Sequence, residues 1–389
     1  MNFKQLSQIW ATGFAMFSMF FGAGNVVFPL FLGQAAGDLN FYATSGLILT
    51  AVLIPLMGLI AAMLYEGDYD RFFDRIGKWP GYIAILATMV LIGPGGATPR
   101  TITLSYSTID AFFPGMGVWM FSFIACLIIF AFTYKQNKIL DILGYVLTPF
   151  LLICLLLIII KGLFFAPGEL LPPPEGTALS FFSSGLMTGY NTMDLLATYF
   201  FSHIVLLCLK NEVDPSIAND KKKLLSMSLK SSLIAVFLLG TIYAGFSYVA
   251  AYHSNSLIGI DSDKLLGVLA VNILGPSAAI IACGAVALAC LTTAIALVSV
   301  FAEFLQKDVF MDRVGYIPCL LITLVSTFFI STLEFKGIAV FLEPILQIWY
   351  PALIVLSLCN LLHKLTGFMP VKVPVYGTFA ASIAWHLYS

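Results

Sequence analysis

The sequence predicts an all-α membrane protein of about eleven transmembrane helices, and three observations lead there. Hydrophobic side chains make up 60% of the 389 residues and charged ones only 10%, where a soluble domain carries roughly 25% charge. A compact soluble fold has too little interior to shelter so much apolar material. Uncharged stretches able to cross a hydrocarbon layer, about 20 residues each, recur along the whole chain. The basic residues between them fall on alternate connections, as the positive-inside rule requires of a multi-pass chain.

The first helix is placed at 7–32, inside an uncharged stretch running from Gln5 to Gly37. Its length, and the Gly and Asn in its middle, set it apart from the compact core of a secretory signal. The second, 42–65, lies between Asp38 and Glu66, and the third, 81–107, follows Lys78 and contains Arg100. The fourth and fifth, 117–134 and 142–164, are separated by Lys135, Lys138 and Asp141. The sixth, 180–209, follows a Pro-rich connection and carries Asp194; the seventh, 224–252, follows the lysine run 221–223. The remainder are placed at 277–305, 316–332, 337–362 and 374–388, the last being a short stretch after Lys372.

With the N-terminus inside, the inner connections hold Lys4, Arg71, Arg75, Lys78, Lys135, Lys138, Lys210, Lys221, Lys222, Lys223, Lys230, Lys307, Arg313, Lys364 and Lys372. That is 15 of the 19 Lys and Arg residues, against Lys161, Lys264 and Lys336 outside. The N-terminus is therefore expected to be cytoplasmic and, with an odd number of spans, the C-terminus external. The seven cysteines, Cys126, Cys154, Cys208, Cys283, Cys290, Cys319 and Cys359, sit in apolar runs without a CxxC pair and read as small buried hydrophobes. A net charge of −1 gives no basic surplus for nucleic acid. Neither HExxH nor GxSxG occurs, which argues against a membrane-embedded enzyme.

Two segments interrupt the apolar pattern at matching places. The first helix carries Phe21-Gly22-Ala23-Gly24-Asn25, and the sixth carries Thr188-Gly189-Tyr190-Asn191-Thr192-Met193-Asp194. Both are poor helix propagators. Either segment alone is also explained by close helix packing, which small residues allow. Together they open two five-helix halves of opposite direction, the sequence pattern of a carrier with a central site between inverted repeats. An interrupted helix offers free N–H groups and a positive dipole end to a carboxylate, and exposed carbonyls to a cation or an ammonium group. A zwitterion with its ion suits those two poles.

The strings Phe-Gly-Ala-Gly-Asn-Val-Val-Phe-Pro (21–29), Gly-Pro-Gly-Gly-Ala-Thr-Pro-Arg-Thr (93–101), Gly-Tyr-Asn-Thr-Met-Asp (189–194) and Ala-Cys-Leu-Thr-Thr-Ala (289–294) resemble the bacterial branched-chain amino acid carriers of the amino acid–polyamine–cation superfamily. The resemblance implies a leucine-transporter-like 5+5 inverted repeat: residues 1–165 as the first repeat, 176–362 as the second, and 363–389 as a short accessory eleventh helix. Members usually have a twelfth. The resemblance further implies sodium-coupled import of leucine, isoleucine and valine across the bacterial inner membrane, with no cofactor besides Na+ as coupling ion.

Matched motif to motif, the family's sodium site implies the carbonyls of Ser18, Phe21 and Ala289 with the hydroxyls of Thr292 and Thr293, although neighbouring threonines in a helix also bond their own backbone. For substrate, the Ala23 and Gly24 amides are carboxylate donors beside Asn25. Carbonyls at Met187, Thr188 and Gly189 are ammonium acceptors, and Tyr190 and Met193 border the aliphatic pocket. Asp194 is the acid placed deepest in a span, where a charge is costly and calls for a partner. It either meets substrate or ion, or pairs with Arg100; Arg100 otherwise reaches outward to the headgroups. His203 is expected to be a satisfied interior histidine, Glu303 to cap a solvated end, and Glu343 is a gate candidate. Proton coupling through Asp194 or His203, a methionine or large neutral amino acid specificity, and a channel are the competing readings.

Overall fold

The computed structural model describes residues 3–134, 139–173, 175–213 and 220–388. Lys135 and Lys138, counted above toward the inner side, lie outside the described residues, as do the side chains of Lys4, Cys208 and Lys221. The described residues contain helices and connections and no strand. In chain order the first helices are α1 (Phe3–Phe20), α2 (Ala23–Ala36), α3 (Asn40–Ile48), α4 (Ile54–Leu64), α5 (Tyr69–Phe73), α6 (Lys78–Ile92), α7 (Ala97–Asp110), α8 (Val118–Thr133) and α9 (Ile139–Phe164). They continue with α10 (Ala178–Tyr190), α11 (Asp194–Glu212), α12 (Lys221–Tyr252), α13 (Leu265–Leu274), α14 (Pro276–Phe304), α15 (Tyr316–Ser331), α16 (Glu334–Thr366) and α17 (Lys372–Tyr388).

Among the described residues five helical stretches are long and apolar enough to cross a bilayer, and shorter apolar helices such as α8 and α15 lie among them. Large apolar side chains including Phe123, Leu127, Ile153, Leu157, Phe237, Ile322 and Phe341 face outward. In water such a surface would aggregate; in hydrocarbon it is the required exterior. The chain is a multi-pass membrane protein.

The helix ends follow local chemistry. Thr177 caps α10 reciprocally: its hydroxyl accepts from Ser180 N at 3.2 Å, and Ser180 Oγ accepts from Thr177 N at 2.8 Å. Asp220 caps α12 by accepting from the amides of Lys222 and Lys223 at 3.1 and 3.2 Å. At the far end of α16, Gly367 adopts φ 79°, the left-handed cap that glycine takes without a Cβ penalty.

The structure departs from the helix-by-helix expectation in several places, among them the short helix α5 between the second and third expected spans. The helix expected over 81–107 is interrupted at Gly93-Pro94-Gly95-Gly96, between α6 and α7. Proline supplies no amide to the ladder and the glycines favour coil. The helix expected over 42–65 passes through a wider π-helical turn at Leu49–Leu53 between α3 and α4. The connection between the seventh and eighth expected spans contains a short helix of its own, α13.

Small residues set how closely the helices approach. A Cβ on Gly46 of α3 would collide with the Phe182 carbonyl of α10, and one on Gly185 of α10 with the Ala43 carbonyl of α3. These helices therefore pack backbone against backbone. The six described cysteines, Cys126, Cys154, Cys283, Cys290, Cys319 and Cys359, are free and buried, as expected of small core residues.

Candidate functional site

The helical path stops at Phe20 and resumes at Ala23, and it stops again at Tyr190 and resumes at Asp194. These two gaps meet. Together with α7 and α14 they surround a cavity of about 40 Å³, lined among others by Phe20, Gly22, Ala23, Gly24, Asn25, Arg100, Asn191, Asp194, Phe201 and Thr293. It has room for a few waters and not for an amino acid.

At the first gap, Gly22 is extended (φ −115°, ψ −165°), and its amide donates to Asn25 Oδ1 at 2.8 Å. Ala23 and Gly24 open α2, so their amides belong to the first turn, where no preceding helical carbonyl serves them. Gly24 keeps the two gaps close: a Cβ there would lie 3.2 Å from Thr192 Cα and 3.3 Å from the Asn191 carbonyl, so the neighbouring backbone would have to give by a few tenths of an ångström.

At the second gap, tight turns carry the chain across. Asn191 N donates to Thr188 O at 3.1 Å, Thr192 N to Gly189 O at 3.3 Å and Met193 N to Tyr190 O at 3.1 Å. Met193 then takes φ 63°, a left-handed conformation uncommon outside glycine and asparagine, while only 3% exposed. Such a conformation persists only where its surroundings hold it in place. Tyr350 helps: its hydroxyl accepts from Leu195 N at 3.1 Å in the first turn of α11, and its ring stacks on Tyr190 at 4.6 Å.

The carboxylate of Asp194 accepts from Asn25 Nδ2 at 3.0 Å on each oxygen and from the Tyr243 hydroxyl at 2.8 Å. Asn25 Nδ2 also contacts that hydroxyl. The acid is therefore held by α2 and α12; of the two alternatives left open for it, pairing with Arg100 is not what the structure contains. Arg100 itself is 2% exposed, so it does not reach outward to headgroups. Its Nη1 donates to the Asn191 carbonyl at 2.8 Å, and its guanidinium lies 5.3 Å from the Phe28 ring centroid and 5.9 Å from that of Phe335. Nε and Nη2 have no hydrogen-bond partner.

Beside the cavity, Thr293 Oγ1 donates to Ala289 O at 3.0 Å within α14 and to Phe21 O at 3.4 Å across the first gap. Thr292 Oγ1 donates to Ala289 O at 2.8 Å. The geometry thus brings together Phe21, Ala289 and Thr293, with Thr292 adjoining and Ser18 half-buried on α1. Among the described residues no cluster of His, Cys, Asp and Glu could hold a metal ion.

Of the residues singled out for substrate, Ala23, Gly24, Asn25, Met193 and Asp194 line the cavity. Met187, Thr188, Gly189 and Tyr190 do not, because α10 runs as far as Tyr190 and the gap falls after it. Met187 faces outward, the carbonyls of Thr188 and Gly189 accept from turn amides, and Tyr190 stacks on Tyr350. His203 is exposed, contrary to the interior position expected of it. Glu303 pairs with Lys307 at 3.7 Å, and Glu343 is exposed and accepts from Gln347 Nε2 at 3.3 Å. Tyr243 was invisible to sequence reasoning, since one tyrosine in a long apolar helix carries no signal until its neighbours are known.

Solved structures with the same fold include Mhp1, a nucleobase-cation-symport-1 family transporter in a closed conformation with bromovinylhydantoin bound. It has 12% identity and a TM-score of 0.61, with 98% of this chain and 92% of that one covered. MhsT in complex with L-phenylalanine is similar at 14% identity and a TM-score of 0.59, covering 95% of this chain and 98% of that one. Among sequences, the chain is 32% identical over 360 residues to the branched-chain amino acid permease BraB of Bacillus subtilis, covering 91% of this chain and 79% of the relative. It is 28% identical over 377 residues to the branched-chain amino acid permease BrnQ of Corynebacterium glutamicum, covering 97% and 85%. These relatives are named as permeases, not as enzymes. Residues 5–387 match the family described as branched-chain amino acid transport protein, and the chain belongs to that family.

Proposed function

We propose that this protein imports leucine, isoleucine and valine by sodium symport with alternating access. The observation that carries the reading is the meeting of two helix gaps around one cavity, lined by the first-turn residues Ala23, Gly24 and Asn25 of α2 and by Asp194. The amides and the dipole of α2 suit a carboxylate, and the acid at the start of α11 suits an ammonium group or a cation. Phe21, Ala289 and Thr293 supply uncharged oxygens for sodium, joined by Thr292 and Ser18, while Ala23, Gly24, Asn25, Met193 and Asp194 contact substrate. The relatives named as branched-chain amino acid permeases support the substrate class.

In this reading eleven helices cross a bacterial inner membrane, the first and sixth broken at the two gaps. Residues 1–165 and 176–362 form inverted repeats, 363–389 form an accessory helix, the N-terminus is cytoplasmic and the C-terminus external. The cavity is too small for substrate, and Phe20 and Phe201 are among its lining residues. Phe20 meets Phe201 at 5.5 Å between centroids, and Phe28 meets Phe335 at 6.1 Å, near Arg100. One pair comes from α1 and α11 and the other from α2 and α16. Parting one pair while the other stays closed is the motion that alternating access requires.

A second coupling reading rests on Asp194, a buried acid held by neutral donors that include Asn25 and Tyr243. Such a group is able to carry a proton in place of sodium. Uptake of labelled leucine into proteoliposomes under separately imposed sodium and proton gradients decides between them. Stimulation by inward sodium is expected; indifference to sodium with stimulation by inward protons would overturn sodium coupling.

A further inference from the structure

We propose that the free edge of the Arg100 guanidinium, formed by Nε and Nη2, binds the α-carboxylate of the transported amino acid. The inference rests on the amino acid import reading above and adds a side-chain anchor to a site otherwise built from backbone groups. Arg100 is 2% exposed and lines the cavity. Its five N–H donors lie in one plane, and the surroundings account for all of that plane except one edge. The rings of Phe28 and Phe335 lie 5.3 and 5.9 Å from the guanidinium carbon, and the Asn191 carbonyl takes Nη1 at 2.8 Å. Nε and Nη2 are left without a partner. Their two N–H groups point in parallel, the geometry that meets both oxygens of a carboxylate at once.

The charge is also unanswered. Among the described residues Arg100 forms no ion pair: Asp194 is occupied by Asn25 and Tyr243, and Glu343 is exposed and bonded to Gln347. An unpaired buried cation is expensive to hold, and the aromatic rings offset only part of that cost. An arriving carboxylate satisfies both the donors and the charge. The first-turn residues of α2, Ala23, Gly24 and Asn25, line the same cavity, and the positive end of that helix also favours an anion there. Arg100 thereby requires a free carboxylate, which separates amino acids from the corresponding amides and amines.

The test is binding to the purified full-length protein, comparing leucine with leucinamide, which keeps the ammonium group and the side chain but lacks the carboxylate. The wild type is expected to prefer leucine by at least about tenfold, the scale of charge-assisted hydrogen bonds. Arg100→Gln is expected to weaken leucine about 10- to 100-fold and leave leucinamide unchanged, so the preference collapses. Arg100→Lys restores the charge without the fork and is expected to fall between, which also guards against a variant that fails to fold. Equal wild-type affinity for the two compounds, or a preference that survives Arg100→Gln, overturns the proposal. So does a loss shared equally by both compounds, which is the mark of a structural role. Replacing chloride by gluconate separates carboxylate from inorganic anion: chloride-dependent leucine binding that Arg100→Gln makes chloride-independent would assign the edge to chloride and refute the proposal. A wild type that binds no neutral amino acid removes the import reading itself, and this inference with it.

Discussion

Asn25 donates its side-chain amide to both carboxylate oxygens of Asp194, at 3.0 Å each, and so fastens the start of α2 to the start of α11 across the cavity. The same Asn25 caps the first gap through its Oδ1. One side chain therefore sets the geometry of both helix gaps.

Replacing Asp194 separates charge from shape. Asp194→Asn keeps the size and a hydrogen-bonding group while removing a buried charge, so thermal stability is expected to hold or rise, since a buried charge is costly. Transport is expected to fall at least about tenfold, the loss of one charge-assisted interaction. Asp194→Ala also strands Asn25 and Tyr243, each unsatisfied buried group costing about 1–3 kcal/mol, and is expected to lower the melting temperature as well. Thermal melts in detergent beside leucine uptake in liposomes read the two effects apart. Full uptake by Asp194→Asn would remove the acid from the mechanism.

Gly185 and Gly284 make a paired test of packing. A Cβ at Gly185 meets the Ala43 carbonyl of α3, whereas a Cβ at Gly284 of α14 has nothing within 4 Å. Gly185→Ala is expected to cost about 1–3 kcal/mol, the range for overpacking a close contact. Gly284→Ala is expected to gain about 0.5–1 kcal/mol from helix propensity. Melting curves of the two variants under identical detergent check both signs. A neutral Gly185→Ala would show that α3 and α10 separate easily.

The all-helical, bilayer-spanning class could be read from the sequence because it rests on composition, and Gly and Asn within apolar runs mark the stretches 21–25 and 188–194, inside which the helical path stops in the structure. The start of the second gap could not be read. Thr188 and Gly189 look like the breaking residues, yet the turn follows Tyr190, where Tyr350 stacks from a helix 160 residues further along the chain. Arg100 and Asp194 stand out as costly charges, but the sequence leaves open whether they pair with each other or serve elsewhere. Their actual partners, a backbone carbonyl and a neutral Asn–Tyr set, depend on tertiary placement that no spacing encodes.

Asp220 provides a pH test outside the membrane. Its carboxyl is held below the usual carboxylate range, first by the Lys223 amide, with the Lys223 side chain and the Lys222 amide adding to the effect. An acid whose folded value is depressed contributes stability above its unfolded value and loses it as pH falls through the folded value. Asp220→Ala is therefore expected to melt lower than the wild type at neutral pH, with the two curves converging below about pH 4, near the unfolded carboxylate value. A gap that stays constant down to pH 3 would assign the loss to something other than the charged cap.

Thr292 and Thr293 are adjacent, yet only Thr293 reaches beyond its own helix. Its hydroxyl donates to the Ala289 carbonyl and, at 3.4 Å, to the Phe21 carbonyl at the first gap, whereas that of Thr292 donates to Ala289 alone. A cation seated between α1 and α14 would displace the long bond to Phe21 and use the same oxygens. Thr293→Ala is accordingly expected to raise the sodium concentration for half-maximal leucine uptake by about tenfold or more, the scale of one lost oxygen ligand to a charge. Thr292→Ala is expected to have the smaller effect. Thr293→Ser, which keeps the hydroxyl, should restore most of the affinity. Uptake measured against external sodium for the three variants gives the ordering, and an unchanged sodium requirement in Thr293→Ala would place the coupling ion elsewhere.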